Sequence, residues 1–228
     1  MTSDVNTLRR AFECISHFGI ATAHVSISDA MIIYGYTDCS AVYLTIPCEG
    51  RFKCSIPMSH LVKILRNCQG QSLVRLQFLA ESLRLQNEVA YTVNYVSCTP
   101  ATFKFPVVKA CGTYSVVLST LQRFLKMSGD VVTMRRTHGV EMETSMQSMV
   151  TSRVTFPSSE DPLMVQLGVP LPPTHPWPDE VRYSNSLLKY LCRTSTFQSY
   201  GKLVICAQHL VFQSFNDDVM LQVCFSSI

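Results

Sequence analysis

The chain has 228 residues, 19 basic and 16 acidic side chains, 47% hydrophobic residues and only 15% charged ones. With a mean hydropathy of +0.17, that composition excludes a disordered chain and leaves room for one large domain or two small ones. A net charge of +3 is too mild for bulk charge to hold nucleic acid. No apolar run approaches the ~18 residues of a membrane span and no signal-peptide core is read near the start, so no membrane is expected.

Apolar spacing predicts a first amphipathic helix over residues 5–18, turning Leu8, Phe12 and Ile15 inward and showing Arg9, Arg10 and His17. Only Met1 to Asp4 precede it, so no strand is expected ahead of it. Alternation then predicts a strand with Val42, Leu44 and Ile46 on one face. A second helix, over 58–68, buries Leu61 and Leu65 and shows His60, Lys63 and Arg66. Val74, Leu76 and Phe78, then Tyr91, Val93 and Tyr95, continue the strand pattern. Pro100 and Pro106 interrupt the rhythm at 97–106. A third helix, over 114–127, buries Leu118, Leu121 and Leu125 and shows Arg123 and Lys126. Val140 and Met142 alternate with Glu141 and Glu143. Residues 157–178 then hold seven of the eleven prolines and the single Trp177, read as a stiff surface connector. A fourth helix, over 184–193, buries Leu187, Leu188 and Leu191 and shows Lys189 and Arg193. Val219, Leu221, Val223 and Phe225 close the series. Turn signals fall at Ser28-Asp29, Thr37-Asp38, Gln69-Gly70, Thr137-His138-Gly139 and Asn216-Asp217-Asp218.

Two patterns emerge. The order helix, strands, helix, strands occurs twice, which predicts an α+β chain of two similar domains, each with two helices on an antiparallel sheet. The expected division is a first domain over 1–98, a connector over 99–110 and a second domain over 111–228. Charge is also sorted by element: the four helices carry Arg9, Arg10, Lys63, Arg66, Arg123, Lys126, Lys189 and Arg193 against one acid, Glu13. Cations on helix faces are the footprint of a phosphate backbone, so these eight residues are the candidate contacts to double-stranded DNA.

Signs of catalysis are missing from the motifs. There is no nucleotide-cradling glycine loop, no H-E-x-x-H and no G-x-S-x-G. The six histidines lack metal-ligand spacing, and Asp217-Asp218 reads as hairpin-turn chemistry. Ten cysteines form no C-x-x-C pair and read as small free hydrophobes of a reducing compartment. No enzyme, no metal and no cofactor is expected.

Particular segments resemble the eukaryotic sliding-clamp (PCNA-like) superfamily. Leu61-Val62-Lys63-Ile64-Leu65, Ser72-Leu73-Val74-Arg75-Leu76 and Leu83-Arg84-Leu85 are similar to the second helix and following hairpin of a clamp's first domain. Residues 140–156 look like the second-domain hairpin. Leu187-Leu188-Lys189-Tyr190-Leu191, Val204-Ile205-Cys206, Val211-Phe212 and Asp218-Val219-Met220-Leu221-Gln222 are similar to the ending of the Hus-type subunit of the heterotrimeric DNA-damage checkpoint clamp. The resemblance implies a nuclear, non-catalytic subunit that encircles DNA with two other clamp subunits, is placed there by a clamp loader, and tethers repair proteins. A polymerase processivity factor and a pure protein-interaction module are the alternatives. A ring also needs sheet edges that pair between subunits, expected at strands within 72–88 and 130–145.

Overall fold

A computed structural model describes residues 2–48, 50–68, 73–86, 89–97, 110–146, 150–158, 178–196, 199–206, 208–216 and 219–228. The predicted turns at Gln69-Gly70 and Asp217-Asp218, the connector up to residue 109, and 159–177 of the proline-rich stretch lie outside them. The chain divides into two compact units, Met1–Phe105 with Asp217–Met220, and Pro106–Asn216 with Leu221–Ile228.

The first unit runs β1 (Thr2–Asp4), α1 (Val5–His17), β2 (Thr22–Ile27), β3 (Ala30–Tyr36), β4 (Ser40–Pro47), β5 (Phe52–Pro57), α2 (Met58–Asn67), β6 (Leu73–Phe78), β7 (Ser82–Gln86) and β8 (Ala90–Asn94). Antiparallel pairing places these strands in the orders β1-β6-β7-β8 and β5-β2-β3-β4. The second unit runs β9 (Ala110–Val117), α3 (Leu118–Lys126), β10 (Val131–Arg136), β11 (Gly139–Met146), β12 (Val150–Pro157) and β13 (Val181–Ser184). It continues with α4 (Asn185–Leu188), a 3-10 helix (Lys189–Thr196), β14 (Tyr200–Cys206), β15 (His209–Asn216) and β16 (Val219–Ser226). Its strands lie in the orders β9-β14-β15-β16 and β13-β10-β11-β12. Among the described residues the two units therefore share element order and strand order, as the repeated pattern predicts.

Period two sets the cores. Val42, Leu44 and Ile46 are buried in the first unit, as are Val132, Met134, Val140 and Met142 in the second. The turns fall where polar dipeptides mark them: Ser28 N–H donates to Ala30 O, and Thr137 N–H to Gly139 O. Gly139 is required by close approach, since a Cβ there would run into the Phe156 carbonyl of the paired strand.

Four expectations need correction. A strand does precede α1: Thr2, Ser3 and Asp4 pair with Arg75, Val74 and Leu73, a stretch too short to show a period. The third helix begins at Leu118, because Tyr114 to Val117 complete β9, paired with β14 from Tyr200 to Leu203. The fourth helix is α-helical only over Asn185–Leu188 before tightening to 3-10 geometry, and Leu187 is only half-buried. Finally, the strands expected to offer free edges are interior: β6 and β7 lie between β1 and β8, and β10 and β11 between β13 and β12. The ends of these two four-stranded sheets are β8 and β12, with β1 and β13 as shorter counterparts.

Among the described residues, each of the four α-helices starts on the residue after a strand, with no connecting loop. Pro57, Val117 and Ser184 hold extended backbone angles as the N-caps of α2, α3 and α4, and none makes a side-chain cap hydrogen bond. The strand itself sets each helix's entry, in place of capping chemistry.

Candidate nucleic-acid interface

In the first unit, Leu8, Ala11, Phe12 and Ile15 of α1 are buried, as are Met58, Leu61, Val62 and Leu65 of α2. Helical spacing leaves Arg10, Lys63 and Arg66 exposed and Arg9 half-buried. The two helices touch, and Arg66 Nε lies 2.6 Å from Glu13 Oε1. The only acid of the basic helices thus engages one of the eight candidate cations. At this exposure the pair contributes little to stability, under about 1 kcal/mol, but it lowers the net positive charge available at Arg66.

In the second unit, Leu118, Leu121, Phe124 and Leu125 bury one side of α3 and leave Arg123 and Lys126 exposed. Leu188 and Leu191 bury the opposing α4 and 3-10 segment and leave Lys189 exposed. Lys126 and Lys189 come together, lining with Gln122, Leu125 and Cys192 a depression of about 220 Å³. Burial pushes the Cys192 thiol up, and the two lysine charges pull against that shift. Arg193 lies in the 3-10 helix, and its side chain is outside the described residues.

Sequence reasoning missed the residue that sets this pairing. Asn185 is 1% exposed, and its Nδ2 donates to the Gly129 carbonyl at 2.6 Å and the Ser128 carbonyl at 3.0 Å. Its backbone N–H donates to Asp130 O at 2.8 Å. Asn185 thereby ties the start of α4 to the end of α3, which sets Lys189 relative to Lys126. From sequence alone it looks like an ordinary helix-start residue.

All nine described cysteines are free thiols, six of them buried. Burial holds Cys14 and Cys224 up at about 12, far from the reactive thiolate form. Among the described residues, no group of three His, Cys, Asp or Glu side chains is placed to hold a metal ion.

No family model and no curated protein matches the sequence. Among solved structures, the chain is similar to Proliferating Cellular Nuclear Antigen from Entamoeba histolytica, with a TM-score of 0.77 over 98% of this chain and 96% of that one. The fold is that of a sliding clamp. At 13% identity the likeness concerns backbone architecture: two α+β units, each with two helices and antiparallel sheets. Which residues act, and on what, has to be argued from this chain's own side chains.

Proposed function

We propose that the chain is a non-catalytic clamp subunit that encircles double-stranded DNA within a ring and tethers partner proteins to it. The observation that carries this reading is the basic helix pair repeated in each unit of a sliding-clamp fold: Arg9, Arg10, Lys63 and Arg66 in one, Arg123, Lys126, Lys189 and Arg193 in the other. Such cations neutralise phosphates without reading bases, which suits a protein that must travel along any sequence.

Ring closure is assigned to the strand ends β8 and β12. β8 lacks the charges and prolines by which natural sheets block edge pairing, and β12 has few of them. β8 carries no charge, and β12 carries only Arg153 before Pro157 at its last position. Exposed apolar side chains lie at both, with Val89 and Val96 beside β8, Met146 at the end of β11 and Val150 at the first position of β12. Addition of a neighbour's β8 to β12 would continue one sheet across the boundary and cover them. The similarity of residues 187–191 and 218–222 to a Hus-type ending favours a place in a nuclear, heterotrimeric checkpoint clamp put on DNA by a loader.

A topological assay tests the proposal. With partner subunits and loader present, binding to closed circular plasmid is expected to survive a high-salt wash and to vanish once the plasmid is linearised. Binding that washes off both forms alike would leave only a basic surface. Stable self-assembly into a homotrimer would move the role from checkpoint subunit to replicative factor.

A further inference from the structure

On the outward face of the sheet β13-β10-β11-β12, five charged side chains form a series of ion pairs. Glu180 engages both Arg182 and Arg135, and Arg135 Nη1 lies 2.7 Å from Glu143 Oε2. The same Glu143 oxygen lies 3.4 Å from Nε of Arg153, the residue directly opposite it on β12. Two carboxylates thus serve three guanidinium groups, and Arg153 has the longest contact of the series. Glu141 shares this face one strand in from the sheet end, opposite Thr155. On β12 itself Arg153 is the single charged residue, and its side chain is 61% exposed.

A strand added along β12 strips water from the open side of Arg153. A guanidinium carries five N–H donors, and leaving them half-answered without water lowers stability. A carboxylate directly across, on the same face of the incoming strand, answers them with two parallel hydrogen bonds. A copy of this chain has none to give. Val93 is buried, so alternation puts Ala90, Thr92 and Asn94 on the outward face of β8. Behind them β7 sets Gln86, Arg84 and Ser82. Glu81 precedes β7, and Glu88 lies outside the described residues. Whichever of the three β8 residues stands opposite Arg153 is therefore neutral. If it is Thr92, a second guanidinium, Arg84, follows one strand further on, about 10 Å from Arg153 at ordinary strand spacing.

We propose that the subunit joining at β12 is a different protein, whose edge strand carries Asp or Glu on its outward face opposite Arg153. Arg153 then selects the neighbour: it holds an acidic strand, gains nothing from the neutral strand of a copy, and repels a basic one. This rests on the ring reading for the pairing of β12 with a neighbour, and adds the chemistry of that neighbour.

The test displays the full chain on phage with Ala90, Thr92 and Asn94 randomised together. Selection runs in parallel on immobilised wild type, Arg153→Glu and Arg153→Gln. Asp or Glu should be enriched at one of the three positions on wild type, and Lys or Arg there on Arg153→Glu. Arg153→Gln should enrich neither sign, and it guards against loss of fold in the charge reversal. An enriched acidic chain, made in soluble form, should bind Arg153→Glu about fivefold or more weakly than wild type by biolayer interferometry. Enrichment without regard to charge, or alike on all three baits, overturns the proposal and leaves the pairing of β8 with β12 intact. No enrichment on any bait removes that pairing, and the proposal with it. A homotrimer formed by wild type alone would also overturn it, since a neutral strand would then suffice.

Discussion

Asn185 and Glu13 show how single side chains shape the basic helix pairs. With its amide and its own N–H, Asn185 serves four backbone carbonyls at and just after the end of α3, those of Leu125, Ser128, Gly129 and Asp130. Asn185→Ala would leave buried carbonyls without their donor, and loss of stability by about 1–3 kcal/mol is expected. A urea-denaturation midpoint measures it, and an unchanged midpoint would show that the contacts contribute nothing net. Glu13 acts in the other direction, since its carboxylate already occupies Arg66. Glu13→Gln should therefore tighten binding to mixed-sequence duplex and steepen its salt dependence by about one phosphate contact, a slope change near 0.9. Arg66→Gln should weaken binding less than Lys63→Gln does. Anisotropy titrations across a salt series check both, and equal losses at Arg66 and Lys63 would show that the ion pair does not persist beside DNA.

At the scale of elements, the helices and strands were legible because burial imposes a period, and their ends were not because two periods overlap there. Tyr114, Leu118, Leu121 and Leu125 fit a helical stripe, while Tyr114 and Val116 also alternate with Ser115 and Val117 as a strand does. Pairing of Tyr114 with Leu203 and Val117 with Tyr200 decides for the strand, and such a long-range partner leaves no local mark. Leu188 and Leu191 stand three apart, a spacing that serves α and 3-10 geometry alike, so the tightening after Leu188 could not be read. The three residues of β1 are too few to alternate. The basic residues were legible one by one from their helix faces, whereas the Glu13–Arg66 pair and the Asn185 side-chain contacts span 53 and 56 to 60 residues of sequence. Alternation also says which face of a strand is buried but not which strand lies beside it, which is why β8 and β12 were overlooked as sheet ends.

The molecule as a whole repeats one strand order with no residue-level repeat, so its architecture rests on where apolar side chains fall and tolerates wide exchange of their identities. The ring reading makes a demand at this scale. Thr92→Lys on β8 and Val150→Lys on β12 place at the two sheet ends the charge that natural edges use to prevent pairing. Light scattering should then report separate subunits where wild type assembles with its partners, with stability of the isolated chain changed by no more than about 0.5 kcal/mol. Assembly that persists in both variants would place the subunit boundary elsewhere. One feature common to both units, the passage from strand to helix without a loop, bears on how the proposed clamp would meet DNA. A joint of this kind has no compliance, so the helix follows its sheet like a lever fixed at one end. The conformational freedom that a looser mount would surrender at each encounter is given up once, during folding. Contact with a passing duplex then needs little reordering of the backbone, and the grip can be shallow, quickly made and quickly released.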